Sequence, residues 1–416
     1  MSDSSPQPLP DGGSAQQMNP PQSESQPQPS SYVEKVRSNQ SGLWSERKPL
    51  LGHLDIELTE RCNNDCIHCC INLPMGDSAA REREMTTEET KRILTEAAAL
   101  GCLSVRFTGG EPLLREDFEE LYLFARRHGM KVLLFTNARL VTPRLADLFA
   151  CVPPGERVEV TVYGMKPASY EAVSRVPGSY VEFRRGVDLL LDRRVPFVVK
   201  GALLPPNRNE MDEFEAWAAA IPAMDKPPGY SMFFDLRGRR DSEVKNRQIA
   251  GLRILPEDGV AILGRRREAY LKDMRQFCTK YMGPSEDKLF ACGAGHGTCV
   301  DAYGRAQRCM TLRHPDMAYD LKTGSLHDAL TSFFPRLREM RAANPDYLAR
   351  CARCFLKGLC EQCPAKSWGE HGTLDTPVEY LCQVAHAQAR DLGLLRDGER
   401  AWEVSDWRER AKALSR

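Results

Sequence analysis

Two features of the chain predict an α/β fold built on parallel strands. Six strand-sized apolar runs recur along it: LDIELT at 54–59, LSVRFT at 103–108, KVLLFT at 131–136, RVEVTVYG at 157–164, FVVKGALL at 197–204 and SMFFDL at 231–236. Helical patterns fill the intervals between them, and strand, helix and strand in repetition implies right-handed crossovers between parallel strands. Such a sheet either opens into a doubly wound layer or curls into a partial barrel, and both place an active site at the carboxyl ends of the strands. With 416 residues and 42% hydrophobic side chains, the chain is long enough for a sizeable core or two domains.

Taken in order, the elements start after a polar tail. Of the first 30 residues, 20 are Pro, Gln or Ser and none is aromatic, so residues 1–45 cannot bury enough apolar surface to offset their ordering entropy and are expected to be disordered. A strand-rich core is expected over 46–253. Its first helix has a start signal in Thr86 with Glu89 three residues on, ahead of Ile93, Leu94, Ala97 and Ala98. Gly101 and Gly129 suit helix C-terminal caps. A bridging helix is expected within 254–285, a cysteine-rich, metal-stabilised second domain over 286–390, and a short charged helix in the tail 391–416, where nothing suggests chemistry. No repeat of fixed period is visible.

Composition removes several function classes. Lys and Arg number 57 and so do Asp and Glu, which argues against a protein that holds a nucleic-acid backbone by counterion release. The amino-terminal residues lack a basic and an apolar signal region, and no run approaches the ~18 apolar residues of a bilayer span, so a soluble, cytoplasmic protein is expected. In a reducing compartment, clustered cysteines read as metal ligands or redox groups before disulfides. There are 15, nine of them between Cys278 and Cys382.

Directly after the first strand come Cys62, Cys66 and Cys69 in CNNDCIHC. Three thiolates on one loop hold three corners of a metal cluster and leave one position open to a substrate or cofactor ligand, whereas a structural zinc closes its shell with four. The alternative is a zinc knuckle that borrows Cys70. After the second strand follows TGGEP at 108–112, in which Gly109 and Gly110 bring backbone groups close to a ligand and Glu111 supplies an anionic acceptor. On its own that tripeptide would be an ordinary tight turn.

The CX3CX2C loop and the GGE sequence together resemble the radical S-adenosylmethionine (SAM) superfamily, over about Leu54 to Asp235. The resemblance implies a partial (β/α)6 barrel of TIM type. It implies a 4Fe–4S cluster on Cys62, Cys66 and Cys69, with SAM chelating the fourth iron. It also implies SAM contacts at Thr136 and Asn137 ending the third strand, Thr161 and Tyr163 ending the fourth, and His68 before the last ligand. Lys200 on the fifth strand is a candidate partner for the SAM carboxylate, or equally a buried stem reaching a barrel mouth. Where the family usually has TNG, this chain has TNA.

The remaining cysteines, Cys292, Cys299, Cys309, Cys351, Cys354, Cys360, Cys363 and Cys382, with Gly304, resemble the SPASM extension of such enzymes, which carries two auxiliary 4Fe–4S clusters. That resemblance assigns Cys292, Cys299, Cys309 and Cys363 to one cluster and Cys351, Cys354, Cys360 and Cys382 to the other. Cys360 and Cys363 are separated by two residues where the family usually has three, and Cys278 is an alternative to Cys299. Without the first half of the chain, zinc ribbons would account for the CX2C pairs equally well. Cys70, Cys102, Cys151 and Cys278 are otherwise packing cysteines.

These resemblances imply that an electron from the first cluster cleaves SAM to a 5′-deoxyadenosyl radical. That radical abstracts a substrate hydrogen, and the auxiliary clusters take up the product electron. The net reaction is then an oxidative modification, crosslinking or dehydrogenation, of a peptide or protein substrate. A low-potential donor of flavodoxin or ferredoxin type would be the electron source, and leader recognition would need a separate peptide-binding protein or another surface of this chain. Met310 after Cys309 stands where sulfatase-maturating relatives have an acidic base. The arginines at 237–240 and 265–267 either grip an acidic peptide or form solvated faces. Alternatives from other classes are a radical SAM enzyme of cofactor or tetrapyrrole biosynthesis, marked by an enclosed pocket, and a non-enzymatic electron carrier or zinc scaffold.

Overall fold

The structure, a computed structural model, describes residues 50–290 and 297–414. The expected tail at 1–45, and Cys292 of the second array, lie outside the described residues. Residues from Pro49 onward form one compact unit.

Among the described residues nine strands form the principal sheet: β1 (His53–Thr59), β2 (Ser104–Gly109), β3 (Lys131–Thr136), β4 (Gly155–Val162), β5 (Phe197–Ala202), β6 (Tyr230–Ser231), β7 (Gly297–Val300), β8 (Arg305–Gln307) and β9 (Tyr319–Asp320). Their spatial order is β9-β8-β7-β1-β2-β3-β4-β5-β6, and β1 to β6 are parallel. Because those six follow sequence order with no reversal, the doubly wound alternative is excluded and the arrangement is that of a partial barrel.

Alternation along the strands separates two chemistries. Leu54, Ile56, Leu58, Val105, Phe107, Val132, Leu134, Val158, Val160, Phe197 and Val199 are all buried. They share one hydrophobic core with α1 (Thr87–Ala99), α2 (Phe118–Arg127), α3 (Pro143–Cys151) and α4 (Ser179–Asp192). The alternate positions are charged: Arg106 pairs with Asp55 at 3.0 Å, and Lys200 with Glu159 at 2.5 Å. The helices therefore pack on one face of the sheet, and the other face is left polar.

Local signals are met closely. Thr86 and Glu89 form a reciprocal capping box on α1, which satisfies two of its free backbone donors. Gly101 and Gly129 adopt φ of +81° and +78°, the left-handed conformation that ends a helix. The run at 231–236 departs from expectation, since only Ser231 of it lies in β6. Pro227 and Pro228 precede this strand, and beyond it Phe234 leaves the sheet to pack its ring 5.0 Å from that of His68 on the cysteine loop. Burial against the loop replaces further pairing.

The expected second domain shares both sheet and core with the first. β7 pairs in parallel with β1, Asp55 opposite Cys299, and Val300, Ala306, Leu312 and Leu321 join the barrel core. Arg313, in the turn after β8, reaches across to Glu57 of β1. Its Nη1 donates to Glu57 Oε2 at 2.8 Å and its Nη2 to the other oxygen, and both side chains are 1% exposed. Burial pushes the Glu57 carboxyl up while Arg313 opposes it. The bridging segment is two helices, α5 (Pro256–Leu263) and α6 (Arg267–Tyr281); later come α7 (Pro364–His371), α8 (Glu379–Asp391) and α9 (Trp407–Leu414). No described helix is long and apolar enough to cross a membrane.

Arg313→Met leaves the Glu57 carboxylate buried without its partner and is expected to cost about 3–5 kcal/mol in urea denaturation. Adding Glu57→Leu should restore most of that stability. A single-variant loss below about 1 kcal/mol would show that the pair does not hold the two halves together.

Candidate functional site

The loop after β1 is fixed by its backbone before any side chain is considered. Leu73 N donates to Glu60 O at 2.8 Å, Asp65 N to Ser174 O at 2.9 Å and Ile67 N to Val173 O at 3.1 Å. Arg237, 2% exposed, donates from Nη1 to the Cys69 and Asn72 carbonyls and is held in turn by Asp241 at 2.6 and 2.7 Å. Arg139 donates to the Asn63 carbonyl and the Asn64 side chain, with Glu182 behind it at 2.6–2.8 Å. Cys62, Cys66 and Cys69 project from this frame.

Their environment disfavours a thiolate in the absence of a neighbouring positive charge. Burial raises the Cys62 thiol, and the neighbouring Glu111 carboxylate adds to it; burial and then Cys69 and Cys62 raise Cys66, while a hydrogen bond from Tyr163 opposes the rise. A bound metal would convert such buried thiols to thiolates. Asn63 Nδ2, Asn64 Nδ2, His68 Nδ1 and the Tyr170 hydroxyl are buried without a partner around the loop. Buried polar atoms are ordinarily satisfied, so these orphans fit a site completed by a further group. Burial lowers His68 to about 4, so its ring is neutral, packed against Phe234 and, at 5.9 Å, Tyr163.

The glycines of the GGE segment are required locally by a close approach of backbone. A Cβ on Gly109 would stand 2.0 Å from the Thr59 carbonyl oxygen, and one on Gly110 2.2 Å from that of Arg61. Gly110 N donates to Thr59 O at 2.7 Å, and Glu111 N to Arg61 O at 2.9 Å. The glycines thus let β2 close against the cysteine loop. Glu111 is fully buried and accepts from Thr136 Oγ1 at 2.8 Å, Asn137 N at 2.8 Å and Leu113 N at 3.2 Å. Burial lifts its carboxyl to about 7, against those donors. Glu111 therefore ties the end of β2 to the end of β3.

Asn137 completes the tie, its Nδ2 reaching Asn63 Oδ1 at 2.7 Å and Cys62 Sγ at 3.9 Å. Ala138, in place of the usual glycine, takes φ +61°, and its carbonyl lies 1.9 Å from where a Cβ on Gly186 would sit. Thr161 and Lys200 are register partners on β4 and β5. The Lys200 ammonium is engaged by Glu159 and lies 3.7 Å from the Phe135 ring centre.

In the second array, Cys351, Cys354, Cys360 and Cys382 line one cavity, with Arg350, Lys357, His386 and Trp402. Burial raises all four thiols, Cys351 to about 12 and Cys354 to about 11. Cys363 and Cys309 are electrostatic neighbours. Cys299, on β7, is buried beside Glu57 and Arg313, and Cys278 packs among Phe355, Leu356 and Ala389. Among the described residues no three His, Cys, Asp or Glu side chains converge as a single ion requires. A multi-iron cluster, whose ligands bind separate irons, asks for no such convergence.

The arginines at 237–240 are engaged within the fold, and those at 265–267 lie on an exposed face in ion pairs, the solvated alternative. Besides Arg237, Arg239 bonds Glu60 and Asp301, Arg240 bonds the Trp368 and Gly369 carbonyls, and Arg265, Arg266 and Arg267 pair with Asp212, Glu215 and Asp391. Sequence reasoning passed over Arg139, Arg350 and Trp402. An arginine two residues after Asn137 was the only signal for the first, and none marked the others.

Residues 56–218 match the family model described as Radical SAM superfamily, so the barrel carries a radical SAM domain. The AdoMet-dependent heme synthase of Methanosarcina barkeri is 24% identical over 335 residues, 76% of this chain and 92% of that protein. The mycofactocin maturase MftC of Mycolicibacterium smegmatis is 32% identical over 169 residues, 39% of this chain and 40% of that protein. The crystal structure of Streptococcus suis SuiB bound to S-adenosylmethionine superposes with a TM-score of 0.57 at 16% identity, covering 80% of this chain and 75% of that one, a likeness of fold.

Glu111→Gln turns an amide group toward backbone donors and should destabilise the chain by about 1–3 kcal/mol. Because the folded-state carboxyl is raised, its contribution is fully present below its unfolded value near 4.5 and is lost as pH climbs through about 7. Urea midpoints across pH 5–8 should therefore fall with rising pH more steeply for the wild type than for the variant. Parallel slopes would contradict this.

Proposed function

We propose that the protein is a radical SAM enzyme that carries out an oxidative modification of a peptide or protein. Cys62, Cys66 and Cys69 would hold one 4Fe–4S cluster, and His68, Gly109, Gly110, Glu111, Thr136, Asn137, Thr161, Tyr163 and Lys200 would surround SAM, Glu111 and Lys200 acting through the residues they position. When bound, this cluster supplies the electron that reductively cleaves SAM. The observation that carries the oxidative reading is the cavity lined by Cys351, Cys354, Cys360 and Cys382: four half-buried thiols would make a complete shell for an auxiliary cluster, and a closed shell transfers electrons without binding substrate. Cys309 and Cys363, with Cys292 and Cys299, would hold the other.

The chain's own groups set the conditions for the reaction. The triad frame built by Arg139 and Arg237 holds the loop still, and neutral His68 with Phe234 and Tyr163 forms an apolar wall that excludes water. A polypeptide substrate is supported by a cleft of about 860 Å3 beside the carboxyl end of β1. It is lined by Glu60, Asp77, Arg83, Arg239, Tyr303 and Trp368 among others, and its charged lining suits a peptide better than an apolar macrocycle. A likeness to the PqqA peptide cyclase of Bradyrhizobium diazoefficiens, 32% identical over 146 residues, points the same way. The reading includes a cytoplasmic location, a low-potential donor of flavodoxin or ferredoxin type and a separate leader-binding protein. A second reading, cofactor or tetrapyrrole biosynthesis, is favoured by the alignment with heme synthase along nearly all of that protein.

Anaerobic reconstitution should give about 12 irons per chain, falling by about four in the triple alanine variant of Cys62, Cys66 and Cys69. With dithionite and SAM, only the wild type should form 5′-deoxyadenosine. Iron near four, or zinc in the second array, would remove the electron acceptor and the oxidative reading with it. Turnover of an iron porphyrin in place of a genomically adjacent peptide would select the second reading.

A further inference from the structure

Arg350 is held from several directions at the edge of the four-thiol cavity. Its Nη1 donates to Glu379 Oε1 at 2.6 Å and Asp346 Oδ2 at 3.2 Å, and its Nη2 to Glu379 Oε2 at 3.1 Å. The guanidinium lies 4.9 Å from the ring centre of Trp402, a cation–π contact from a different part of the chain. So fixed, Nη2 also donates to Cys382 Sγ at 3.8 Å. Trp402 meets the His386 ring edge-on at 5.5 Å, His386 Nδ1 donates to the Cys382 carbonyl at 2.8 Å, and Ala401 N donates to His386 Nε2 at 3.2 Å. The segment around residue 402 thus clamps both the cation and the helix that carries Cys382.

We propose that Arg350, clamped by Glu379 and Trp402, sets the reduction potential of the group held by Cys351, Cys354, Cys360 and Cys382 by donating a charged hydrogen bond to Cys382 Sγ. This rests on the reading that those four thiolates hold an iron–sulfur cluster. A cation donating to a ligand sulfur draws charge from it and stabilises the state with one more electron, and net charge and hydrogen bonds to sulfur are among the factors that set such potentials. Arg350 raises the potential and favours electron uptake. It is a positioning residue, since it acts through Cys382.

The test uses the full chain with Cys62, Cys66, Cys69, Cys292, Cys299, Cys309 and Cys363 replaced by alanine, which leaves the four-thiol array as the one proposed cluster site, in a redox titration followed by electron paramagnetic resonance. Arg350→Gln is expected to move the midpoint to a more negative potential with iron content unchanged. Arg350→Lys should fall between, and Trp402→Leu should shift it the same way by less. An unchanged midpoint at full iron content overturns the proposal alone. Loss of iron in Arg350→Gln overturns it by showing a purely structural role. Absence of iron from a folded parent protein overturns the cluster reading as well. If that parent does not fold, the comparison is made in the otherwise wild-type chain, where Arg350→Gln should shift one spectral component and leave the others in place.

Discussion

The buried pair between Arg313 and Glu57 fixes the relation between the two cysteine groups. A carboxylate on the polar side of β1 would be costly to bury without a partner, and that partner comes from a turn more than 250 residues further along the chain. The same turn follows β8, so satisfying Glu57 also seats β7 against β1 and brings the hairpin that precedes Cys309 to the barrel wall. Arg239, Glu60 and Asp301 extend the pair into a network, which makes the interface specific as well as closed. What reads in sequence as a separate domain is thereby a continuation of the sheet.

A second constraint acts on the triad loop. Ile67 packs against Val173, Leu204 and Phe234, and the rest of the loop's order comes from carbonyls and amides bound by Arg139, Arg237 and Asn137. Each of those side chains is held from behind by a carboxylate or by backbone. A loop ordered in this way keeps its thiols in place by polar ties on one side and apolar packing on the other, and leaves the polar atoms at its centre free for the group that the thiols would bind.

Much of this was legible because it depends on local chemistry. Strand-sized apolar runs located the barrel strands, and Thr86 with Glu89 announced the helix Thr87–Ala99. Cysteine spacing drew attention to both arrays. What stayed hidden depends on long-range contacts. SMFFDL has strand composition, yet Phe234 is buried better against His68 than in a sixth strand. That Gly109 and Gly110 are also needed to admit the backbone of Thr59 and Arg61 is a contact between segments about 50 residues apart, which spacing does not reveal. The arginines at 237–240 look like a surface patch because their partners, Asp301 and the carbonyls of Cys69 and Trp368, are distant in sequence. Trp402 sits in a stretch of charged residues that shows no chemistry until the fold brings it over Arg350.

That tryptophan follows Cys382 by 20 residues and is therefore synthesised after all four thiols of its cavity. Until it arrives, the array lacks one wall and Arg350 lacks one side of its clamp. Any group that enters between these thiols would meet a more open cavity before that segment folds over it than after. The order of translation becomes part of how the site is assembled.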